Sequence, residues 1–401
     1  VPHPGNSRYG YAMSQGGNVG RYDLLTGHAQ LIKPVHPDGE RLRFNWNAAI
    51  AQDPHDEDAI YYGSQYLHYS TDRGNNWKII SPDLTTNDPE KQKQNKSGGL
   101  TYDATGAENF TTIIAIAPSP INRNVIWVGT DDGNVQLTQD RGKTWQNVSK
   151  RIFGPPEGSW IPQITASTYD PQEAVVVINN YRRNDWKPYV FRTTNYGKSW
   201  KAIADEDNVW GYALSYVQDP LEPKLQFLGT EFGLYVSIDG SKTWTKWTSG
   251  FPTVSTMDLK IHPREHDLVI GTFGRAAYIL DDIRALREMA ASNEDLMKKR
   301  LHFFDPPVAV LSINRQASGT RFEANAIFSG QNRKRGAMLT FVYNPGKKKP
   351  ETKKREDSGI KKDDAKKKKE KVKLEVLDSD GKIIRTVKYD VEPGVNRIYW
   401  D

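Results

Sequence analysis

The sequence of 401 residues contains no cysteine. Disulfide bonds and thiolate metal sites are therefore excluded, and the fold must be stabilised by packing rather than by cross-links. This composition fits a cytosolic protein or a secreted bacterial protein, so cysteine usage leaves the compartment open.

Long apolar runs are also missing from the sequence. No stretch reaches the roughly 18 to 20 consecutive apolar residues that a membrane-spanning helix needs, and we expect no membrane span. The first residues, "VPHPGNSRYG", contain neither an initiator methionine nor the apolar core of a signal peptide. We therefore expect a chain that is processed, clipped or excerpted at its front.

Positive charge is concentrated in one segment, although the formal net charge is +6. From Lys347 to Lys373 there are 14 Lys and Arg against 6 Asp and Glu, a balance of +8, which leaves about −2 elsewhere. This segment is almost free of apolar residues, so we expect a disordered loop over 346–372. It is either a solvated insertion or an adhesive patch for an anionic surface. Nucleic-acid binding is disfavoured because the rest of the chain is not basic.

The chain is rich in turn-forming and aromatic residues: 32 glycines, 23 prolines and 11% aromatics predict many short strands. One eight-residue segment, which we call the box, occurs four times, as "STDRGNNW" from Ser70, "TQDRGKTW" from Thr138, "TTNYGKSW" from Thr193 and "SIDGSKTW" from Ser237. The shared Ser or Thr, Asp or Asn, Gly and Trp make it an internal repeat.

Each box belongs to a unit of four predicted strands. In "FTTIIAIAPSPINRNVIWVGTDDGNVQLTQDRGKTWQNVS" the strands are separated by a proline turn, by a loop after a strand ending in Gly129, and by the box. The front unit lacks its first strand, and the unit from Met257 ends after its third. Repeated four-stranded units predict an all-β, multi-bladed β-propeller with five to six blades visible.

The residue types of the box suit a tight turn between the third and fourth strands. Asx side chains accept backbone N–H groups that no neighbouring strand satisfies, glycine permits a positive φ, and tryptophan packs on the adjacent sheet. In the fourth copy Gly240 precedes Ser241, so we expect a distorted turn there. We therefore assign a structural role to the box residues Asp72, Asp140, Asn195 and Asp239.

These boxes resemble those of the Asp-box (BNR) propellers, whose pattern is S/T-x-D-x-G-x-T/S-W. The group includes sialidases, two-propeller xyloglucanases, sortilin-type receptors, and large secreted bacterial proteins of the glycosyl hydrolase-like or sortilin-N-terminal-like kind. The resemblance is strongest to the last kind, through "RFNWNAAIAQDPHDEDAIYYGSQYLHYSTDRG", "YRRNDWKPYVFRTTNYGKSW" and "GTFGRAAYILDDI". Those proteins are longer, which implies that this chain is a C-terminal portion.

The resemblance also implies where ligands bind: on the loops that lead into the first strand and join the second strand to the third, away from the boxes. Aromatic rings there suit sugar C–H faces, and Asn and Arg suit hydroxyls or carboxylates. For each aromatic residue, packing between blades is the alternative. The candidate ligand-binding residues are Trp46, Asn47, Tyr66, Trp160, Arg182, Arg183, Trp186, Trp210, Phe232 and Arg275.

Different enzyme classes need different residues on these loops. A glycoside hydrolase needs two carboxylates about 5 to 9.5 Å apart; the candidates are Asp131, Asp132, Asp185 and Glu231. A sialidase would need an arginine cluster and a tyrosine nucleophile, for which only three arginines lie on suitable loops. Neither GxSxG nor a P-loop occurs, and "HPREH" is expected to be a turn rather than a metal site because its proline denies the histidines a helical face.

Beyond the repeats, the hydrophobic pattern changes. We predict a propeller over 1–285, a helical connector over 286–301, and an immunoglobulin-like sandwich over 302–401 with a hairpin turn at Asp380 and Gly381. A missing front portion or a partner chain is expected to complete the propeller.

The lead hypothesis is a bacterial protein exported to the periplasm, cell surface or medium, which binds a polysaccharide or an extended peptide without a cofactor or metal. The alternative is a glycoside hydrolase that uses paired carboxylates.

Overall fold

The computed structural model describes residues 1–93, 109–292, 294–310, 333–346 and 370–400. The chain divides into two compact units, Val1–Leu280 and Asp281–Asp401. None of the helices in these ranges is long and apolar enough to cross a membrane. Each unit is described by itself below.

The described residues of the first unit form six antiparallel sheets, each built from consecutive strands. We number the sheets 1 to 6 in chain order. Sheets 2 to 5 have the four strands that the repeat predicts, so this prediction is confirmed. The strands are β1 (Tyr9–Ser14), β2 (Asn18–Asp23) and β3 (His28–Leu31) in sheet 1; β4 (Ile50–Gln52), β5 (Ile60–Gly63), β6 (Leu67–Ser70) and β7 (Lys78–Ile79) in sheet 2; β8 (Ile113–Pro118), β9 (Ile126–Thr130), β10 (Val135–Thr138) and β11 (Gln146–Asn147) in sheet 3; β12 (Trp160–Ala166), β13 (Ala174–Asn180), β14 (Asp185–Thr193) and β15 (Lys201–Ala204) in sheet 4; β16 (Ala213–Gln218), β17 (Gln226–Thr230), β18 (Gly233–Ser237) and β19 (Thr245–Trp247) in sheet 5; β20 (Thr256–Ile261), β21 (Leu268–Thr272) and β22 (Ala277–Leu280) in sheet 6.

Successive sheets pack face to face through apolar side chains. Trp127 and Leu137 of sheet 3 meet Ile161 and Val176 of sheet 4 in one buried cluster. Similar buried clusters join sheet 1 to sheet 2, sheet 2 to sheet 3, and sheet 4 to sheet 5. Burial of each large apolar side chain stabilises the fold by about 1.5 to 3 kcal/mol. This series of face-packed antiparallel sheets is the all-β propeller architecture that the repeat predicts.

The box forms the same hydrogen-bonded turn in all four copies. In the first, the Ser70 hydroxyl accepts from the Gly74 N–H at 2.8 Å, and the Asp72 carboxylate accepts from the Asn76 N–H at 2.8 Å. In the second copy, bonds from Thr144 to Asp140 lower the pKa of that carboxyl to about 2. The equivalent acceptor in the other two copies is Asn195 or Asp239.

The box tryptophans connect each sheet to the one before it. The indole N–H of Trp77 donates to the Ile32 carbonyl at 2.7 Å, and Trp145 donates to Ile80 at 3.1 Å. Trp244 makes the equivalent 2.7 Å bond to the Ile203 carbonyl. The indole nitrogen of Trp200 has no hydrogen-bond partner among the described residues, although its ring packs on Trp127.

The distorted turn expected in the fourth box is not observed. Every box turn places two consecutive residues at positive φ, as Arg141 (60°) and Gly142 (90°) do in the second copy. In the fourth copy Gly240 (75°) and Ser241 (68°) take the same two positions. The Ser241 N–H still donates to the Ser237 hydroxyl at 2.9 Å, so exchanging the glycine between the two positions preserves the turn.

Sheet 1 also differs from expectation, because its missing first strand is partly supplied by the first residues of the chain. Val1 and Tyr11 exchange backbone hydrogen bonds of 2.7 and 2.8 Å, and the His3 N–H donates to the Tyr9 carbonyl. This short pairing lies on the edge of β1 where a first strand belongs. Sheet 6 has three strands, as expected. How the propeller closes stays a prediction.

The second unit contains the helix α1 (Arg284–Ala291), which begins two residues before the expected connector at 286. A sheet pairs β23 (Leu301–Phe303), β24 (Ala337–Tyr343) and β27 (Gly394–Trp400). The strands β25 (Glu370–Leu377) and β26 (Ile383–Val391) form a hairpin. Gly381 has a φ of 78° in its turn, as predicted. An immunoglobulin-like sandwich stays a prediction.

The lysine-rich loop predicted over 346–372 lies mostly outside the described residues. The predicted C-terminal end of the loop, residue 372, is wrong, because β25 begins at Glu370 and pairs with β26 from that residue onward. The alternation in "KVKLEVL" extends the strand pattern back into the charged segment. The turn expected at "HPREH" is present, since the Nδ1 of His262 accepts from the Glu265 N–H at 3.1 Å.

Two glycine substitutions test how closely the box turn approaches the preceding sheet. A Cβ at Gly142 would lie 2.4 Å from the Ile80 carbonyl oxygen, whereas a Cβ at Gly240 would meet no atom within 4 Å. Both alanine variants carry the left-handed penalty of about 1 to 2 kcal/mol. We expect Gly142→Ala to lose a further 1 to 3 kcal/mol or so from the overlap. Urea unfolding of both variants checks this, and equal losses would contradict the close approach.

Candidate functional site

The predicted ligand loops lie at the opposite end of the strands from the boxes. In an antiparallel sheet the turns alternate between the two ends, so a box between the third and fourth strands shares its end with the turn between the first and second. The loops between the second and third strands therefore lie at the other end, together with the segments that lead into each sheet. We call this end of the strands, opposite the boxes, the loop end.

Asp131, proposed from the sequence as a catalytic carboxylate, is completely buried. It accepts hydrogen bonds from the backbone N–H and the hydroxyl of Thr112, and from the Asn45 side chain at 2.9 Å. Burial, followed by the neighbouring Asp132, raises the pKa of Asp131 to about 7, and the bonds from Thr112 and Asn45 oppose that rise. Asp131 therefore holds the loops of sheets 2 and 3 together and does not face open solvent.

Asp132 is buried as well, and both of its carboxylate oxygens are occupied. One oxygen accepts from the backbone N–H of Thr86 at 2.8 Å and from its hydroxyl at 2.6 Å. The other accepts from the Thr130 hydroxyl. Like its neighbour, this carboxylate joins the loops of sheets 2 and 3.

The other two candidate carboxylates lie nearer the surface. Asp185 accepts from the Tyr189 hydroxyl at 2.9 Å; burial and this bond raise the pKa of Tyr189 to about 12. Glu231 is partly exposed, burial raises its pKa, and its carboxylate has no hydrogen bond or ion pair within the described ranges. Beside it, burial and the Glu231 charge raise the pKa of Tyr212 to about 12.

A continuous row of rings crosses the loop end of sheets 3, 4 and 5. Tyr181 and Tyr212 are stacked with centroids 4.5 Å apart. The guanidinium of Arg182 lies 3.4 Å from the centre of Trp160 and 4.5 Å from that of Tyr181. We call this row the aromatic strip, and its members are Phe110, Trp160, Tyr181, Arg182, Trp186 and Tyr212.

A second aromatic pair lies next to the strip in the chain. The Trp210 side chain is 71% exposed, and its ring centre lies 6.0 Å from that of Phe232. Gly211 joins Trp210 to Tyr212 with a φ of 77°, and a Cβ there would lie 2.8 Å from the Phe232 ring. Glycine is required because no side chain fits beneath the phenyl group.

The remaining predicted residues do not join the strip through any contact among the described residues. Trp46 and Asn47 are exposed on the turn that Asn45 caps. The Tyr66 hydroxyl donates to Glu40, and Arg275 is exposed. Arg183, adjacent to the strip, donates to the backbone carbonyls of Glu157 and Gly158.

The candidate ligand-binding residues named from the sequence omit three members of the strip, Phe110, Tyr181 and Tyr212, although Tyr212 is two residues from the candidate Trp210. Tyr181 directly precedes Arg182, and Phe110 leads into sheet 3 as Trp160 leads into sheet 4. Phe110 could have been predicted from its position, because it leads into the first strand of its sheet as the candidate Trp160 does. For Tyr181 the signal was its position in the loop between the second and third strands of sheet 4.

No protein-family model matches the chain. A probable oligoxyloglucan-reducing end-specific xyloglucanase of Neosartorya fischeri is 23% identical over 227 residues, which are 56% of this chain and 26% of that protein. The chain thus spans about a quarter of the length of this curated relative.

Solved structures with similarity to the chain include a GH74 enzyme of Niastella koreensis, with a TM-score of 0.42, 13% identity, and coverage of 77% of this chain and 55% of that one. The GH74 xyloglucanase of Xanthomonas campestris has a TM-score of 0.40, 15% identity, and coverage of 78% and 56%. The extracellular domain of a putative one-component system of B. thetaiotaomicron has a TM-score of 0.44, 15% identity, and coverage of 69% and 32%.

The buried Asp131 carboxyl predicts a specific pH dependence of stability. Its pKa is raised from 3.8 to about 7 in the folded chain, so between these values the native state binds more protons than the unfolded state. Stability from this group is therefore lost as pH rises from about 4 to about 7, by at most about 1.4 kcal/mol per pH unit. Asp131→Asn should remove this decline from the urea-unfolding free energies. Identical pH profiles for the two proteins would contradict it.

Proposed function

We propose that the chain binds a polysaccharide along the aromatic strip. The observation that carries the proposal is the unbroken contact of five aromatic rings and one guanidinium across three sheets. Flat ring faces match the apolar C–H faces of sugars, while Tyr hydroxyls and the Arg N–H edge supply hydrogen bonds to hydroxyl groups. The name of the curated relative, a xyloglucanase, supports a carbohydrate as the ligand class.

The proposal includes export from the cytoplasm, since polysaccharides of this kind are met outside the cell. Fractionation of cells that make the full-length protein tests this, and a wholly cytoplasmic location would overturn it.

Substitution of exposed strip residues tests the binding proposal. Trp186 is 50% exposed, so Trp186→Ala removes a contact face with little change in packing. Loss of one aromatic contact, at about 0.5 to 1.5 kcal/mol, should weaken binding roughly 2- to 10-fold. The measurement is affinity electrophoresis in gels containing xyloglucan, mannan or pectin.

The matched control is Trp247→Ala, because Trp247 lies on the last strand of sheet 5 and its indole N–H is bonded to the Ser249 carbonyl. Equal retardation of the wild type and both variants would overturn the strip as the binding site. Binding to an extended-peptide array but to none of the polysaccharides would replace the ligand class.

A second candidate function is hydrolysis of the bound polysaccharide, which the name of the curated relative favours. Asp131 and Asp132 are fully occupied by structural hydrogen bonds, so they are poor candidates for proton transfer. Glu231 is the better general acid, because burial raises its pKa and its carboxylate adjoins Tyr212 of the strip. Asp185 is the remaining candidate for the second carboxylate.

Release of reducing sugar from the polysaccharide that binds best tests hydrolysis. Glu231→Gln keeps the shape of the side chain but removes the acid, so the rate should fall about 10²- to 10⁴-fold while affinity is retained. Glu206→Gln is the matched control, since Glu206 forms a surface ion pair with Lys187. Binding without any sugar release by the wild type would leave a binding protein and exclude the hydrolase.

A further inference from the structure

Glu231 is a charged residue without a counter-ion at the loop end of sheet 5. The side chain is partly buried, yet its carboxylate makes no hydrogen bond or ion pair within the described ranges. Burial raises its pKa, and no neighbouring positive charge opposes the rise. A partly buried carboxylate with reduced hydration and no partner is unfavourable by itself. Such a group suits a site where a ligand supplies the positive charge.

The backbone holds Glu231 between aromatic side chains. The Glu231 N–H donates to the Tyr212 carbonyl at 3.1 Å, which places Glu231 beside a member of the aromatic strip. A Cβ on Gly211 would lie 3.2 Å from the Glu231 Cβ and 2.8 Å from the Phe232 ring. The Glu231 side chain therefore begins directly against Gly211. That glycine joins Tyr212 to Trp210 in the chain.

The rings around Glu231 are fixed in position and accessible. Trp210 is mostly exposed, its ring centre lies 6.0 Å from that of Phe232, and its backbone N–H donates to the Tyr235 hydroxyl at 3.0 Å. Tyr212 is stacked on Tyr181. The faces of Trp and Tyr rings attract cations, and a carboxylate attracts them more strongly. The two kinds of group together form a site for a cation.

The described residues provide neither a counter-ion for this carboxylate nor a metal site around it. Arg182 lies over the rings of Trp160 and Tyr181, and Arg183 donates to backbone carbonyls. No group of three or more His, Asp or Glu side chains that could hold a metal ion occurs in the described ranges. Calcium takes about six to eight oxygen ligands, so one carboxylate is insufficient. An ammonium group needs fewer partners and suits one carboxylate flanked by rings.

We propose that Glu231 and its flanking rings bind the protonated amino group of an amino sugar in the bound polysaccharide. An amino sugar is favoured over a lysine side chain because Glu231 adjoins Tyr212, whose strip suits sugar rings. This inference rests on the proposed binding function and adds a substrate class, a cationic polysaccharide. It requires the ionised carboxylate, whereas a general acid requires the protonated one.

The test compares three β-1,4-linked hexasaccharides that differ only at C2, which carries a hydroxyl in glucose, an acetamide in N-acetylglucosamine and an ammonium group in protonated glucosamine. Calorimetry on the full chain should give about 5- to 10-fold tighter binding of the glucosamine ligand than of the other two, from one ion pair and one cation–π contact. Raising NaCl from about 0.05 to 0.5 M should reduce this preference.

Glu231→Gln keeps the shape of the side chain and removes its charge. In this variant the affinities for the glucosamine and glucose ligands should come within about 2-fold of each other. Trp210→Ala, at an exposed ring, should lower the preference about 2- to 5-fold through loss of a cation–π contact.

Glu206→Gln is the matched control, because it removes the same charge from an exposed carboxylate that is paired with Lys187. The preference for the glucosamine ligand should survive in this variant. Its loss there would show a general charge effect and overturn the site at Glu231.

The outcomes separate the cation site from the binding function. Binding of the glucose ligand without a preference for glucosamine, or a preference that Glu231→Gln keeps, would overturn the cation site while strip binding stands. If Glu231→Gln abolishes the preference but Trp186→Ala weakens none of the three ligands, the cation site stands and the strip is overturned. Glu231-dependent binding of a hexalysine peptide but of no hexasaccharide would overturn the amino-sugar class.

Discussion

The contact between a box tryptophan and the preceding sheet is the one on which the propeller depends, and in three of the four copies it includes a hydrogen bond from the indole to a carbonyl in or directly after the last strand of that sheet. It satisfies a carbonyl at the outer edge of one sheet with a donor from the next, and the indole ring covers the apolar gap between them. The turn that carries the ring is held by hydrogen bonds to its own hydroxyl and carboxylate, so the position of the indole donor is set by residues within the box. Local sequence thereby sets a long-range contact.

A second set of hydrogen bonds joins neighbouring sheets at the loop end, and there the bonding groups are carboxylates instead of indoles. Asp131 reaches Asn45 across 86 residues, and Asp132 reaches Thr86 across 46. Each bond ties a loop of sheet 3 to a loop of sheet 2. The segments that carry Trp46 and Phe110 are therefore held against each other by hydrogen bonds at the loop end of sheets 2 and 3.

The fold was more predictable from the sequence than the site. Strand order and box geometry follow from local patterns, such as the spacing of Ser70, Asp72 and Trp77, and those patterns were sufficient for sheets 2 to 5. The pairing of Val1 with Tyr11 was missed because "VPHP" has no strand alternation. The burial of Asp131 was missed because its partners are distant in sequence, and residue type alone does not separate a catalytic carboxylate from one that binds two loops.

The fourth box shows what the turn requires of its sequence. Two adjacent residues adopt left-handed conformations, and the glycine occupies the second position in three copies and the first in the other. The turn geometry is thus preserved by the pair of residues, whereas the residue type at each of these two positions varies among the copies. A pattern search that demands glycine at the fifth position would pass over Ser237 to Trp244, although its hydrogen bonds match those of the other copies. Repeats in such chains are better counted by their backbone dihedral angles and hydrogen bonds than by their residue types alone.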